Sequence, residues 1–230
     1  MKEKLPILLL HGALGAAEQF NALENLISAD FEIYKFDFSA HGSNIYQDSL
    51  SIQLFEQDVL NFMDTHALPS ISIFGYSMGG YVALSLAAHH PLRIKKVFTL
   101  ATKFHWNPES ANLEIRFLDV KKIKEKVPHF ALHLQKLHGD NWENLMIQIA
   151  DLIIDLGNHP TLTTASLNLI QQQVLLAVGD QDKMVSTKET QDTKDALENA
   201  EMLMLRNTPH PWEEVDKMQL AQKIKKFFLQ

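Results

Sequence analysis

Short apolar runs alternate with longer stretches of helical pattern along most of this chain, and that alternation restricts it to few architectures. The runs Leu5–Leu10, Glu32–Asp37, Ser70–Phe74, Lys96–Leu100, Val174–Val178 and Glu201–Leu205 are rich in Ile, Leu, Val and Phe. Most lack the in/out alternation of a half-exposed strand, so they read as strands covered on both faces, as in a parallel sheet. Between them Ala16–Ser28, Ser51–His66, Met78–His89, Thr187–Asn199 and Trp212–Phe228 read as helices, with Ser51 a candidate cap. Strand–helix alternation predicts an α/β fold with right-handed crossovers and helices on both faces of a mostly parallel sheet. Ligands of such folds sit beyond the carboxyl ends of the strands. Residues 102–165 break the rhythm with the helical patterns Asn112–Lys126, His129–His138 and Trp142–Leu156 and no convincing strand. The expected organisation is therefore a core of residues 1–101 and 166–230 interrupted by a helical lid, 102–165.

Composition removes several classes. Hydrophobic residues make up 46% of the 230, too many for a disordered chain. Zero cysteine removes disulfides, thiolate–zinc sites and a cysteine nucleophile, and favours a cytoplasmic location. A net charge of −7 is the opposite of a nucleic-acid binder's balance. Thr65–Leu92 carries no Asp, Glu, Lys or Arg, but Pro69, Gly75, Gly79 and Gly80 interrupt it; it reads as strand, sharp turn and helix rather than a membrane span. Lys2–Leu10 faintly mimics a leader, yet its apolar run is shorter than such segments use. The expected partner is a small-molecule substrate, with no nucleic acid and no membrane, and the chain itself a monomer or homodimer.

The sharpest motif is Gly75-Tyr76-Ser77-Met78-Gly79, placed between a strand and a helix. A strand that turns at once into a helix brings two backbones together, so side chains at 75 or 79 would clash. The turn strains Ser77 and lifts its hydroxyl above the sheet, next to the unpaired N–H groups of a helix start. A serine hydroxyl needs a base, and the base an orienting carboxylate. His210 follows the last strand in Thr208-Pro209-His210-Pro211. The preceding strand ends in Gly179-Asp180-Gln181-Asp182, where Asp180 and Asp182 compete. No G-x-G-x-x-G follows the first strand, which disfavours a dinucleotide-binding enzyme.

Taken together these residues resemble the α/β-hydrolase-fold superfamily, in its small, lidded, esterase-like form. The order Ser, Asp, His matches that superfamily. Its G-x-x-D pattern implies Asp182 as the acid. Its His-Gly after the first strand matches His11-Gly12, which implies an oxyanion hole from the N–H groups of Ala13 and Met78. Asp37-Phe38-Ser39-Ala40-His41-Gly42-Ser43 resembles its segment after the second strand, with Ala40 where Gly is common. Pro209 stands where Gly often precedes the catalytic His. The two antiparallel strands that usually open the fold have no room before Leu5, so about six parallel strands are expected. The resemblance implies a serine hydrolase that cleaves a small ester, thioester or lactone through an acyl-enzyme, with no metal or organic cofactor. It also admits a C–C bond hydrolase, a perhydrolase, or a ligand-binding or signalling protein that retains the triad.

Remaining features have plainer readings. Phe104, Trp106, Phe117, Phe130 and Trp142 are candidates to line an acyl pocket, though packing of the insertion would use the same residues. Tyr76 is a further candidate for substrate contact, but its place beside Ser77 points it into the structure. His129 and His133 have a spacing that can bind zinc, without the third ligand and Glu of the usual motif. Lys121, Lys122, Lys124 and Lys126 read as a solvated helix face.

Overall fold

The first strand, β1 (Leu5–Leu10), shows why the sheet is covered on both sides. Ile7 and Leu9 enter one hydrophobic cluster, Leu8 and Leu10 the other, and all four are fully buried. Complete burial of such a side chain contributes roughly 1.5–3 kcal/mol, so a run of apolar residues with no polar face is stable only between two helical layers. The computed structural model describes residues 4–230. Lys2, the basic start of the leader-like stretch, lies outside the described residues.

Six parallel strands form one sheet in the order β2-β1-β3-β4-β5-β6. The others are β2 (Phe31–Lys35), β3 (Ile71–Tyr76), β4 (Ile94–Leu100), β5 (Gln173–Gly179) and β6 (Ala200–Leu205). The central strands are buried almost throughout, whereas the edge strands β2 and β6 are half-exposed. One face is covered by α1 (Asn21–Ile27) and α10 (Lys217–Phe228), the other by α2 (Ile52–Thr65), α3 (Met78–His89) and part of the insertion. Ser51 caps α2 by accepting the Leu54 N–H at 3.1 Å. Among the described residues no helix is long and apolar enough to cross a membrane.

Between β4 and β5 run α4 (Pro108–Glu114), α5 (Val120–Lys126), α6 (Pro128–His138), α7 (Trp142–Asn158) and the short α8 (Thr164–Leu167). Leu145, Ile149, Leu152 and Leu156 of α7 belong to the same cluster as Leu8 and Tyr81, so this insertion shares a core with the body. Ile123, Leu134, Trp142 and Met146 form a second, small cluster within it.

Three expected helices are broken, two of them where a capping side chain intervenes. Asn112–Lys126 is not one helix: Asn107 caps α4, a 3₁₀ turn follows at Ile115–Phe117, and Asp119 caps α5. Ala16–Ser28 divides into a 3₁₀ turn, Ala17–Phe20, and α1. Trp212–Phe228 divides because Asp216 accepts the Met218 and Gln219 N–H groups and restarts the helix as α10. The helix after β5, α9 (Thr187–Asp195), ends before Asn199, and β2 ends at Lys35 rather than Asp37.

Candidate active site

Ser77 stands between β3 and α3 at φ 51°, ψ −118°, a left-handed conformation that costs a non-glycine residue on the order of 1–3 kcal/mol. The surroundings enforce it. A Cβ on Gly75 would lie 2.4 Å from the Gly79 carbonyl oxygen, and one on Gly79 would lie 2.3 Å from that of Leu10. Both glycines therefore let β1, β3 and α3 meet at backbone distance. Ser77 N–H donates to Leu100 O at 2.8 Å, and the Thr102 hydroxyl donates to Ser77 O at 3.0 Å.

His210 arrives from the loop after β6, and its Nε2 lies 3.5 Å from Ser77 Oγ. Its Nδ1 donates to Asp182 Oδ2 at 2.9 Å. The Asp182 side chain has no exposure to solvent, and its second oxygen accepts the N–H groups of Met184 (2.8 Å) and Val185 (2.9 Å). Burial pushes this carboxyl upward, but the His210 hydrogen bond and charge, with the two backbone donors, outweigh it and hold Asp182 below the ordinary carboxylate range. Asp180, the competing acid, faces elsewhere and accepts the Thr208 N–H at 3.2 Å. Tyr76 points into the structure, where its hydroxyl donates to His210 O at 2.7 Å and fastens the histidine loop to β3. Burial, then the charges of Glu213 and Asp182, push its phenol well up, so it remains a donor.

The loop after β1 completes the site. Gly15 N–H donates to Gly12 O at 3.1 Å, closing a turn whose third residue, Leu14, has φ +58°. A Cβ on Gly12 would come within 3.2 Å of Ser77 Cβ, so this turn lies against the serine. Ala13, Met78, Ser77 and His210 border one cavity. The Met78 N–H is at the first position of α3, where a helix offers it no partner.

Two cavities meet at Ser77. The inner one, about 100 Å³, is apolar and runs between α3 and the insertion, past Tyr81, Trp106, Leu152 and Leu156. The Lys103–Glu114 ion pair (3.2 Å) stands on its wall. The outer one, about 680 Å³, opens past Phe117, Phe130 and His133 and along Pro211, Trp212 and Glu213 of the histidine loop. Of the aromatic candidates, Trp106 thus borders the inner cavity, and Phe130, Phe117 and Tyr76 the outer one. Phe104 and Trp142 line neither. Phe104 is buried and held by its N–H to Glu189 Oε1 (3.1 Å), and Trp142 packs inside the insertion's own cluster. Their bulk serves packing.

His129 and His133 do not converge with a further ligand: among the described residues no group of three or more His, Cys, Asp or Glu is arranged to hold a metal ion. The lysine cluster is solvated in part, and Lys124 pairs with Glu143 at 2.5 Å over the Trp142 ring.

A family model described as the alpha/beta hydrolase fold matches residues 6–121, just over half of the chain. The chain belongs to the α/β hydrolase fold family. Esterase YbfF of Escherichia coli (strain K12) is 26% identical over 95 residues, 41% of this chain and 37% of the esterase. Ethanol acetyltransferase 1 of Kluyveromyces marxianus is 30% identical over 90 residues, 38% of this chain and 25% of that protein. The matches thus span only 25% to 37% of these curated relatives' own length. An enol-lactonase from Burkholderia xenovorans LB400 superimposes with a TM-score of 0.80 at 17% identity, covering 99% of this chain and 92% of the lactonase.

Within this α/β hydrolase fold, one buried polar residue escaped the sequence reading. His138, at the end of α6, accepts the Gly42 N–H at Nδ1 (2.9 Å) and donates from Nε2 to Leu14 O (3.0 Å). Its place as the last residue of the expected helix His129–His138 gave no local signal, because its partners lie 96 and 124 residues away in sequence.

Proposed function

We propose that this protein is a serine hydrolase that cleaves a carboxylic ester with a short acyl group and a larger leaving group, with Ser77 as nucleophile, His210 as general base and acid, and Asp182 as the orienting carboxylate. The hydrogen-bonded line from Ser77 Oγ through His210 to Asp182 carries this reading. At 3.5 Å the first link is long for a hydrogen bond, and proton transfer requires Oγ and Nε2 to draw closer in the reacting complex. Ser77 Oγ bonds to the carbonyl carbon as His210 Nε2 takes its proton. The carbonyl oxygen becomes an oxyanion facing the Ala13 and Met78 N–H groups. As the C–O bond breaks, the same Nε2 proton passes to the leaving oxygen. Water then repeats the cycle on the acyl-enzyme. Asp182 holds Nδ1–H and stabilises the imidazolium.

Substrate polarity follows from where the proton must go. The leaving oxygen is protonated by His210, so the leaving group lies on the side of residues 210–213, along the large outer cavity. The acyl group lies toward Met78 and Tyr81, in the inner apolar cavity of about 100 Å³. The resemblance to an enol-lactonase in fold and to an esterase in sequence supports acyl chemistry. A second reading has its own support: the relative named ethanol acetyltransferase suggests that an alcohol in the outer cavity replaces water as acyl acceptor. Fluorophosphonate labelling, abolished in Ser77→Ala, together with p-nitrophenyl ester turnover in water and in dilute ethanol, tests both. Absent labelling sinks the serine-hydrolase reading; ethyl ester as main product selects transfer over hydrolysis.

A further inference from the structure

We propose that His138 is a positioning residue of the same reaction: it sets the oxyanion loop from the insertion, through simultaneous bonds to Leu14 and Gly42. This rests on the serine-hydrolase reading above. Leu14 follows Ala13, whose N–H is the proposed oxyanion donor, and sits at φ +58°, where a bulky L-residue is disfavoured. The loop adopts that conformation only if something outside it holds it there. The Gly12–Gly15 hydrogen bond closes the turn but leaves its outer carbonyl, Leu14 O, without a backbone partner inside the turn. His138 Nε2–H takes it at 3.0 Å. The other ring nitrogen is tied to a second left-handed residue, Gly42 at φ +58°, in the loop after β2. One imidazole therefore pins two left-handed turns of the body, and it is carried by the insertion.

The partners fix the ring's state. A carbonyl only accepts and a backbone N–H only donates, so the imidazole is neutral with its proton on Nε2. Burial lowers its affinity for a second proton, against the pull of Asp37 and Glu18, while His133 on α6 adds a further lowering influence. From the body, His41 faces it with ring centres 5.9 Å apart, and His11 lies behind His41 at 4.9 Å. A wandering Leu14 would move the Ala13 N–H away from the oxyanion, and misplacement of about 1 Å costs up to about 10²-fold in rate.

Two variants separate the links. His138→Asn keeps an acceptor near Nδ1 for Gly42 but cannot reach Leu14; His138→Gln carries an acceptor and a donor spaced like the two ring nitrogens. With p-nitrophenyl acetate, H138N is expected to lose about 10- to 100-fold in kcat with KM within about threefold, and H138Q to stay within about threefold of wild type. The inhibition constant of a trifluoromethyl ketone, which forms an oxyanion on Ser77, should rise in H138N by the same factor as kcat falls; a residue that only supports the fold would lower the melting temperature and leave that constant alone. Unchanged kcat in H138N, an unchanged ketone constant beside a lower kcat, or a folded H138Q as impaired as H138N each overturns the proposal while wild type still labels with fluorophosphonate. Wild type that neither labels nor turns over esters overturns the serine-hydrolase reading and this inference with it. Should H138N not fold, H138Q alone decides: wild-type kcat and ketone constant support the bridge, and a tenfold loss in either overturns it.

Discussion

The loops at the carboxyl end of the sheet and the helical insertion above them contribute to one cavity by different means. In the loops, backbone conformation does the positioning: Ser77, Leu14 and Gly42 all have positive φ, and glycines at 75 and 79 let backbones approach where any side chain would collide. In the insertion, side-chain volume does it: Trp106, Leu152 and Leu156 form walls whose spacing depends on how the insertion packs on the body. Backbone conformation thus sets the groups around Ser77, and side-chain volume sets the space beside them. Variants of the loop residues that bear the reacting groups should therefore destroy turnover, and variants of the insertion side chains that wall the cavity should redirect it.

The largest effect is expected at Ser77. Ser77→Ala should lower kcat by at least about 10³-fold while the melting temperature stays within a few degrees, since alanine fits the same space. Retained turnover in purified S77A would break the reactive half of the comparison. Asp182→Asn should follow with a loss of roughly 10²- to 10⁴-fold, because the amide can present N–H rather than an acceptor to Nδ1 and select the wrong tautomer. Asp180→Asn is the contrast two residues away. It retains an acceptor for the Thr208 N–H and should cost less than about threefold. Equal losses at 180 and 182 would mean that the loop as a whole, rather than one carboxylate, matters.

This contrast also explains what was legible in the sequence. All six strands and their parallel character could be read, since continuous apolar runs between helical patterns have one physical outcome. Gly75 through Gly79 could be read because strand–serine–helix needs those glycines. The residues by themselves left the acid open, because Asp180 and Asp182 follow the same strand; the family's G-x-x-D pattern pointed to Asp182, the one that the His210 ring reaches. The insertion was legible as helices but not as a pocket. Phe104 and Trp106 are two residues apart, yet one is buried beside Glu189 and the other borders the cavity. His138 shows the limit most clearly, for its role arises from two loops that sequence spacing does not bring near it.

Acid should expose the join between the two regions. His11, His41 and His138 are all buried at it and hold protons less readily than free histidine, His11 down to about 4, chiefly because burial penalises the charged ring. A histidine lowered in the folded state is neutral in both states at pH 7, so nothing is lost there. Below about pH 6.5 the unfolded chain binds protons that the folded one refuses, and stability falls until the folded value is reached. For His11 alone the loss approaches on the order of 3 kcal/mol near pH 4. Asp182, lowered in the opposite charge sense, adds its loss only below the usual carboxylate value. Urea midpoints at pH 7 and pH 5 should therefore differ, with the lower stability at pH 5. Equal midpoints would show that these rings charge without cost and are not packed as described.

The smallest effect probes selectivity. Leu156 is buried on the inner cavity, so Leu156→Ala lengthens the space available to the acyl chain. One methylene in such a pocket changes discrimination by roughly 1–3 kcal/mol, so the ratio of kcat/KM for p-nitrophenyl butyrate over acetate should rise by about 10-fold or more. The truncation also costs about 2–5 kcal/mol of stability. Phe104→Ala removes comparable or greater bulk from the same hydrophobic cluster without touching either cavity, and should cost stability while leaving the ratio alone. A shifted ratio in F104A would mean that packing anywhere in the insertion sets acyl length; a shift confined to L156A would place that control in the wall facing Ser77.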